Sequence, residues 1–200
     1  PGVAEGQYTA PRRLISYLYV DTNGVPGFCV PVVGCTPTVP ERAAFDPEPV
    51  LLQRVLPAVV RSEEGRWPGG QFELQLQPDL PPVAGDATYV EQVVRNFLAN
   101  AMKYGGPNSR ATITATEAVD EVQVRVLDQG PGFPEAEADR LFELYYRSPA
   151  IARKVSGSGI GLFVCSRLIE AMGGRVWAAN RDDGGAEFGF SLPVWTDDEP

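Results

Sequence analysis

Between residues 86 and 105 the apolar positions Val90, Val93, Val94, Phe97, Leu98 and Ala101 recur at intervals of three and four, the spacing of one helix face. Asp86 stands where an N-cap belongs, and Gly105-Gly106-Pro107 marks the end. Upstream, Phe72, Leu74 and Leu76 alternate with Glu73, Gln75 and Gln77, the period of a half-buried strand. Alternation returns in 111–116 and 121–127, joined by a connection short enough for a hairpin. A second helical stripe, opened by Gly159, runs through Leu162, Val164, Leu168, Ile169 and Met172. Residues 175–179 and 187–192 read as strands about a turn at 181–185.

Other stretches are less regular. Val50, Leu51, Val55, Leu56, Val59 and Val60 give a helical pattern that begins at Asp46 or Pro47, and Pro57 within it predicts a kink or an early end. Residues 78–85 read as a loop, 135–142 as a short helix, and 145–158 as a loop of undefined form. Residues 12–20 suit either the end of a helix or a strand. Residues 21–40, rich in Gly, Pro and small side chains, read as an irregular arm. The element order predicts an α+β fold in two layers, with helices on one face of a mixed, mostly antiparallel sheet. The expected organisation is an irregular arm over 1–45, one domain over 46–195 and a flexible acidic tail over 196–200.

With 200 residues, 44% of them hydrophobic, the chain can build one domain with a real core. A net charge of -9 argues against a nucleic-acid surface. It does not exclude an anionic ligand, because backbone amides and one or two cations suffice to hold a phosphate. The three cysteines, Cys29, Cys35 and Cys165, form no disulfide framework. Without any histidine, Cys29 and Cys35 are too isolated for a zinc site. Cys165 falls in an apolar helical stripe and reads as a core residue. No signal peptide and no apolar run long enough to span a membrane is found. The chain opens at Pro1 without methionine, which fits an excised segment of a longer protein.

Candidate chemistry gathers at three places. Asn96 and Asn100, four residues apart, share a helix face. A carboxamide oxygen there is a hard ligand that can help complete a magnesium shell, although surface or capping asparagines would look the same. Lys103, on nearly that face, can neutralise a phosphate or simply solvate the helix. Asp128 ends an apolar strand and enters Gly130-Pro131-Gly132. Its carboxylate can accept from an exocyclic amine while the glycines admit a planar ring, but Asp, Gly and Pro also build ordinary turns. Finally, Gly157-Ser158-Gly159-Ile160-Gly161-Leu162 precedes a helix whose first amides suit phosphate. The sequence before it is a polar stretch with Arg147, Arg153 and Lys154, so it is not the strand-led dinucleotide fingerprint. No Gly-Lys-Ser/Thr closes it, so it is not a P-loop.

Taken together, residues 46–193 resemble the ATP-binding catalytic domain of bacterial two-component sensor histidine kinases. That domain has the Bergerat-type fold shared with type II topoisomerase, Hsp90-type and mismatch-repair ATPases. Gly85-Asp86 and the run from Glu91 through Asn96, Asn100 and Lys103 to Tyr104 resemble the asparagine box. Asp128-Gln129-Gly130-Pro131-Gly132 resembles the first glycine box and Gly157-Ser158-Gly159-Ile160-Gly161-Leu162 the second. Leu141-Phe142-Glu143-Leu144-Tyr145-Tyr146-Arg147 resembles the phenylalanine box. Four boxes in order are far more specific than any one of them.

The resemblance implies roles. Asn100 would coordinate Mg2+, with Asn96 and Lys103 near the phosphates of ATP; these three form the expected catalytic set. Tyr104 would line the adenosine pocket, Asp128 would accept from the adenine amine, and Gly130 and Gly132 would shape that wall. Phe142 would anchor a lid over 145–158, Arg147 would contact phosphate, and Gly157, Ser158, Gly159, Ile160, Gly161 and Leu162 would close over the nucleotide. The implied partners are a histidine-bearing dimerisation domain of a homodimeric parent kinase and a response regulator. The implied location is the bacterial cytoplasm, with a parent that could be membrane-anchored. The phosphorylated histidine of such kinases is absent here. Arg12-Arg13-Leu14-Ile15-Ser16-Tyr17-Leu18 faintly resembles the end of their helical hairpin, while residues 21–40 and Pro57 depart from the family. A non-transferring ATP-dependent switch and a serine-kinase relative of the same fold are the alternative functions.

Overall fold

The computed structural model describes residues 18–20, 26–28, 46–106, 108–149 and 158–196. The chain divides into two compact units, 1–41 and 42–200. In the first, β1 (Leu18–Val20) pairs antiparallel with β2 (Pro26–Phe28). The strand reading therefore holds at the end of 12–20, while Arg12 to Tyr17 lie outside the described residues.

The second unit is built on five strands in the order β4-β6-β7-β9-β8. These are β4 (Gln71–Leu76), β6 (Arg110–Ala118), β7 (Glu121–Leu127), β8 (Arg175–Asn180) and β9 (Ala186–Pro193). Only β4 and β6 run parallel; the other neighbours are antiparallel. Period-two alternation drives one set of side chains into the core: Ala111, Ile113 and Ala115 from β6, Val122, Val124 and Val126 from β7, Phe188, Phe190 and Leu192 from β9. Helices cover that face, giving the two-layer α+β architecture and the mostly antiparallel sheet that the pattern predicts.

Helix α2 (Ala87–Gly105) is the central helix. Asp86 caps it: its Oδ1 accepts from Thr88 N at 2.7 Å and Tyr89 N at 3.3 Å. Val90, Val93, Val94, Phe97, Leu98, Ala101 and Met102 form one buried stripe. Helix α1 (Leu52–Arg66) packs beside it, and α3 (Gly161–Ala171) packs on its other side.

Five local expectations need correction. The 46–60 segment is not helical from its start: Glu48–Val50 is a strand, β3, paired antiparallel with β5 (Val83–Gly85). The same pairing converts the end of the expected 78–85 loop into a strand. Each partner is three residues long, too short for periodicity to register, and the pairing joins distant parts of the chain. Pro57 lies inside α1 without ending it. Its missing amide costs one hydrogen bond, and the burial of Leu56, Val59 and Val60 carries the helix onward. Residues 135–142 form two 3-10 turns, Glu135–Glu137 and Asp139–Phe142, and α3 begins at Gly161 rather than Gly159.

Candidate functional site

Three segments meet along α2: the helix itself, the start of α3 and the turn at 128–132. On α2, Asn96 and Asn100 share a face, and Asn100 Nδ2 donates to Asn96 Oδ1 at 3.2 Å. That bond fixes the amide orientation and leaves Asn100 Oδ1 without a protein donor among the described residues. Gly161, the first residue of α3, lies against Asn96 so tightly that a Cβ on it would overlap the Asn96 amide nitrogen and sit 3.0 Å from Oδ1. The Asn pair is thereby held at the start of a helix that has no side-chain cap, where backbone amides lack intrahelical acceptors.

Two turns along α2, Lys103 and Tyr104 are half buried. The Tyr104 carbonyl oxygen is 3.4 Å from where a Cβ on Gly130 would lie, so the end of α2 abuts the 128–132 turn. From Asn96 to Tyr104 the helix rises about 12 Å, at ~1.5 Å per residue. The two ends of the site are thus spanned by one rigid element.

Asp128 is 4% exposed. Its Oδ1 accepts from Gly130 N at 2.8 Å and from Ala186 N at 3.0 Å. The other oxygen has no donor among the described residues and is available to a ligand. Burial pushes the carboxyl above the ordinary aspartate value of 3.8, while the amides of Ala186 and Gly130 and the charge of Arg181 pull it down.

The segment after Phe142 is tied at its root. Phe142, last residue of its 3-10 turn, packs half buried against the core. Tyr145 adopts φ 63° and donates its N–H to Gly159 O at 2.9 Å. Arg147 is half buried, Ser158 is exposed, and Ile160 and Leu162 are half buried at the start of α3. Gly157, Arg153 and Lys154 lie outside the described residues, as do 150–156 as a whole.

The structure therefore brings Asn96, Asn100, Gly161, Tyr104, Gly130 and Asp128 to one end of the fold. It adds residues that the motifs do not contain. Arg181 Nη1 donates to Asp128 O at 2.8 Å, and Asn180 exchanges two hydrogen bonds with the Phe133 backbone, Phe133 N to Oδ1 at 3.0 Å and Nδ2 to Phe133 O at 2.6 Å. Gly185 has φ 92°, and a Cβ there would overlap the Asp128 carbonyl. The double glycine at 184–185 was the available sign of such a close approach, although a turn alone accounts for it equally well.

Among the described residues no group of three or more His, Cys, Asp or Glu could hold a metal. The donor set fits magnesium all the same: one carboxamide oxygen, Asn100 Oδ1, beside helix-start amides able to hold phosphates that would supply further hard oxygens.

The chain belongs to the family described as histidine kinase-, DNA gyrase B-, and HSP90-like ATPase, which it matches over residues 85–196. It is 36% identical over 154 residues to the adaptive-response sensory kinase SasA of Parasynechococcus marenigrum (strain WH8102), covering 76% of this chain and 40% of that protein. The chain thus spans well under half the length of that curated relative. The fold is similar to the nucleotide-free catalytic domain of the histidine kinase ThkA, with TM-score 0.65, 27% identity, and coverage of 75% of this chain and 97% of that one. It is also similar to full-length ShkA in complex with AMPPNP, with TM-score 0.66, 29% identity, and coverage of 78% and 33%. A complex of ThkA with the response regulator TrrA matches with TM-score 0.62 and 25% identity, covering 74% and 42%. Among the described residues no helix is long and apolar enough to cross a membrane.

Proposed function

We propose that residues 46–195 form the ATP-binding catalytic domain of a sensor histidine kinase. It presents the γ-phosphate of ATP to a histidine on a separate dimerisation domain of a homodimeric parent, for relay to a response regulator. The observation that carries this reading is the meeting of Asn96 with Gly161. It joins the carboxamide face of α2 to the amide-rich start of α3, the chemistry that a polyphosphate requires.

In this reading the outer oxygen of Asp128 accepts from the adenine amine, and Tyr104, Gly130 and Gly132 line the base. Asn96, Lys103 and Arg147 face the phosphates, and Gly157, Ser158, Gly159, Ile160, Gly161 and Leu162 form the loop that covers them, rooted at Phe142. Asn100 Oδ1 would hold Mg2+, which when bound neutralises phosphate charge. The protein's own contribution is positioning, so the domain needs no nucleophile. With no histidine, this chain offers no acceptor for the phosphoryl group. Residues 1–45 are then an irregular N-terminal arm that carries a remnant of the dimerisation hairpin, and 196–200 a short acidic tail.

ThkA with TrrA and ShkA with AMPPNP support the nucleotide and the regulator as partners by kinship. The test is incubation with γ-labelled ATP, with and without a histidine-bearing hairpin domain from the parent. Acid-labile label is expected on the hairpin only. Saturable ATP binding without any transfer would instead favour a nucleotide-dependent switch.

A further inference from the structure

The four boxes leave the β8–β9 hairpin without a role, yet it holds the Asp128 turn at both ends. Asn180 closes β8, and its carboxamide pairs with both backbone groups of Phe133, at the far end of the 128–133 segment. The fit is close: a Cβ on Gly132 would sit 2.5 Å from Asn180 Oδ1. Arg181 follows. Its Nη1 donates to Asp128 O at 2.8 Å, at the near end of the same segment. Its Nη2 pairs with Asp183 Oδ2 at 2.6 Å, and its backbone closes the turn, N to Gly185 O at 3.1 Å and O from Gly184 N at 3.1 Å. The side chain is only 23% exposed. Ala186 then supplies N–H to Asp128 Oδ1 and O to Asp128 N, at 3.0 and 2.9 Å. Phe133 continues the chain of contacts inward, its ring 6.1 Å from Phe188, which lies 5.8 Å from Phe97 of α2.

These bonds have a direction. Those that reach the 128–133 segment constrain the backbone or the inner oxygen of Asp128, or the end of its turn, and none uses the outer oxygen. A carboxylate that reads an exocyclic amine needs that arrangement, because base discrimination by hydrogen bonding is strong only when the polar partner cannot turn away to another donor. A guanine, which carries an oxo group where adenine carries its amine, would then oppose acceptor to acceptor.

We propose that Asn180 and Arg181 are positioning residues for base recognition: they pin the two ends of the 128–133 turn so that adenine is preferred over guanine. The proposal rests on the reading of Asp128 as the adenine acceptor and extends the base site to a hairpin outside the recognised motifs. Arg181 acts through Asp128, so its removal lowers selectivity without removing any contact to the nucleotide.

The test measures ATP and GTP affinities by calorimetric titration of the 200-residue chain, with melting temperatures as the control for folding. Wild type is expected to prefer ATP. Arg181→Gln is expected to lower ATP affinity about tenfold, the worth of one charge-assisted hydrogen bond, while GTP affinity changes little, so the ratio falls. Arg181→Lys, which keeps charge and a donor, is expected to recover part of the ratio. Asn180→Ala, measured independently, is expected to lower the ratio too and serves where Arg181→Gln does not fold. A wild type with no saturable ATP binding, or no preference for ATP, overturns the reading of Asp128 and this inference with it. A selective wild type whose folded variants keep the same ATP to GTP ratio overturns the inference alone.

Discussion

Asn96 and Gly161 are in direct contact, and the contact exists only because residue 161 has no side chain. One lies in the middle of α2 and the other opens α3, so the pair is the seam between the two halves of the phosphate end. Gly161→Ala forces the Asn96 carboxamide to move, and with it Asn100, which donates to it. The expected result is a loss of Mg-ATP affinity of at least about tenfold with adenosine affinity unchanged, read by parallel titrations. Equal loss for both ligands would mean that the seam supports the whole fold and not the phosphate end.

Asp128 is expected to weaken the fold while serving the ligand. Burial raises its carboxyl above 3.8, so between that value and the raised one the folded chain holds a proton that the unfolded chain has released. Its contribution is therefore most favourable at pH below 3.8 and is lost as pH rises through the raised folded value. Asp128→Asn keeps an oxygen for the amides of Gly130 and Ala186 and removes the buried charge. Its melting temperature at pH 7 should equal or exceed that of wild type, with the difference vanishing in acid, while ATP binding falls sharply. Each kcal/mol recovered corresponds to about 2–4 °C. A lower melting temperature at pH 7 would show the carboxylate to be stabilising.

Glu63 of α1 is fully buried. Trp67 Nε1 donates to its Oε2 at 3.1 Å, and Arg95 of α2 reaches its Oε1 at 3.2 Å. Arg95→Met leaves the carboxylate buried without its nearest cation. Because Arg95 is itself 35% exposed, the expected cost lies at the low end of the usual range, ~3 kcal/mol. Glu63→Leu combined with Arg95→Met should recover most of it. Chemical denaturation of the three proteins measures this, and a double variant as unstable as the single one would contradict it.

Cys165 is fully buried in α3, and burial pushes its thiol far above the ordinary value of 9.0. Under native conditions it should resist alkylation at pH 8 and react once the chain is unfolded in denaturant. Peptide mass spectrometry distinguishes it from Cys29 and Cys35. Labelling at equal rates in both states would show that α3 opens readily from the sheet.

Helix α2, its Asp86 cap, the alternation of β4, β6, β7 and β9 and the turn that sets off β8 were all legible in the linear order of residues. Each depends on neighbours within a few positions: a side chain reaching an amide two or three residues on, or a face repeating every second or every three to four residues. The motifs were legible for the same reason, since each box is a short run. What the sequence could not determine depends on segments meeting across the fold. The β3–β5 ladder joins two three-residue pieces whose pairing only the closed fold supplies. The parallel seating of β4 on β6 is a matter of sheet order that local pattern does not encode. The Asn96–Gly161 contact, and the grip of Asn180, Arg181 and Gly185 on the Asp128 turn, arise because packing the helical layer on the sheet brings strand ends and helix ends to one edge. Composition and local propensity name the parts of the site; only burial of the common core sets the distances between them.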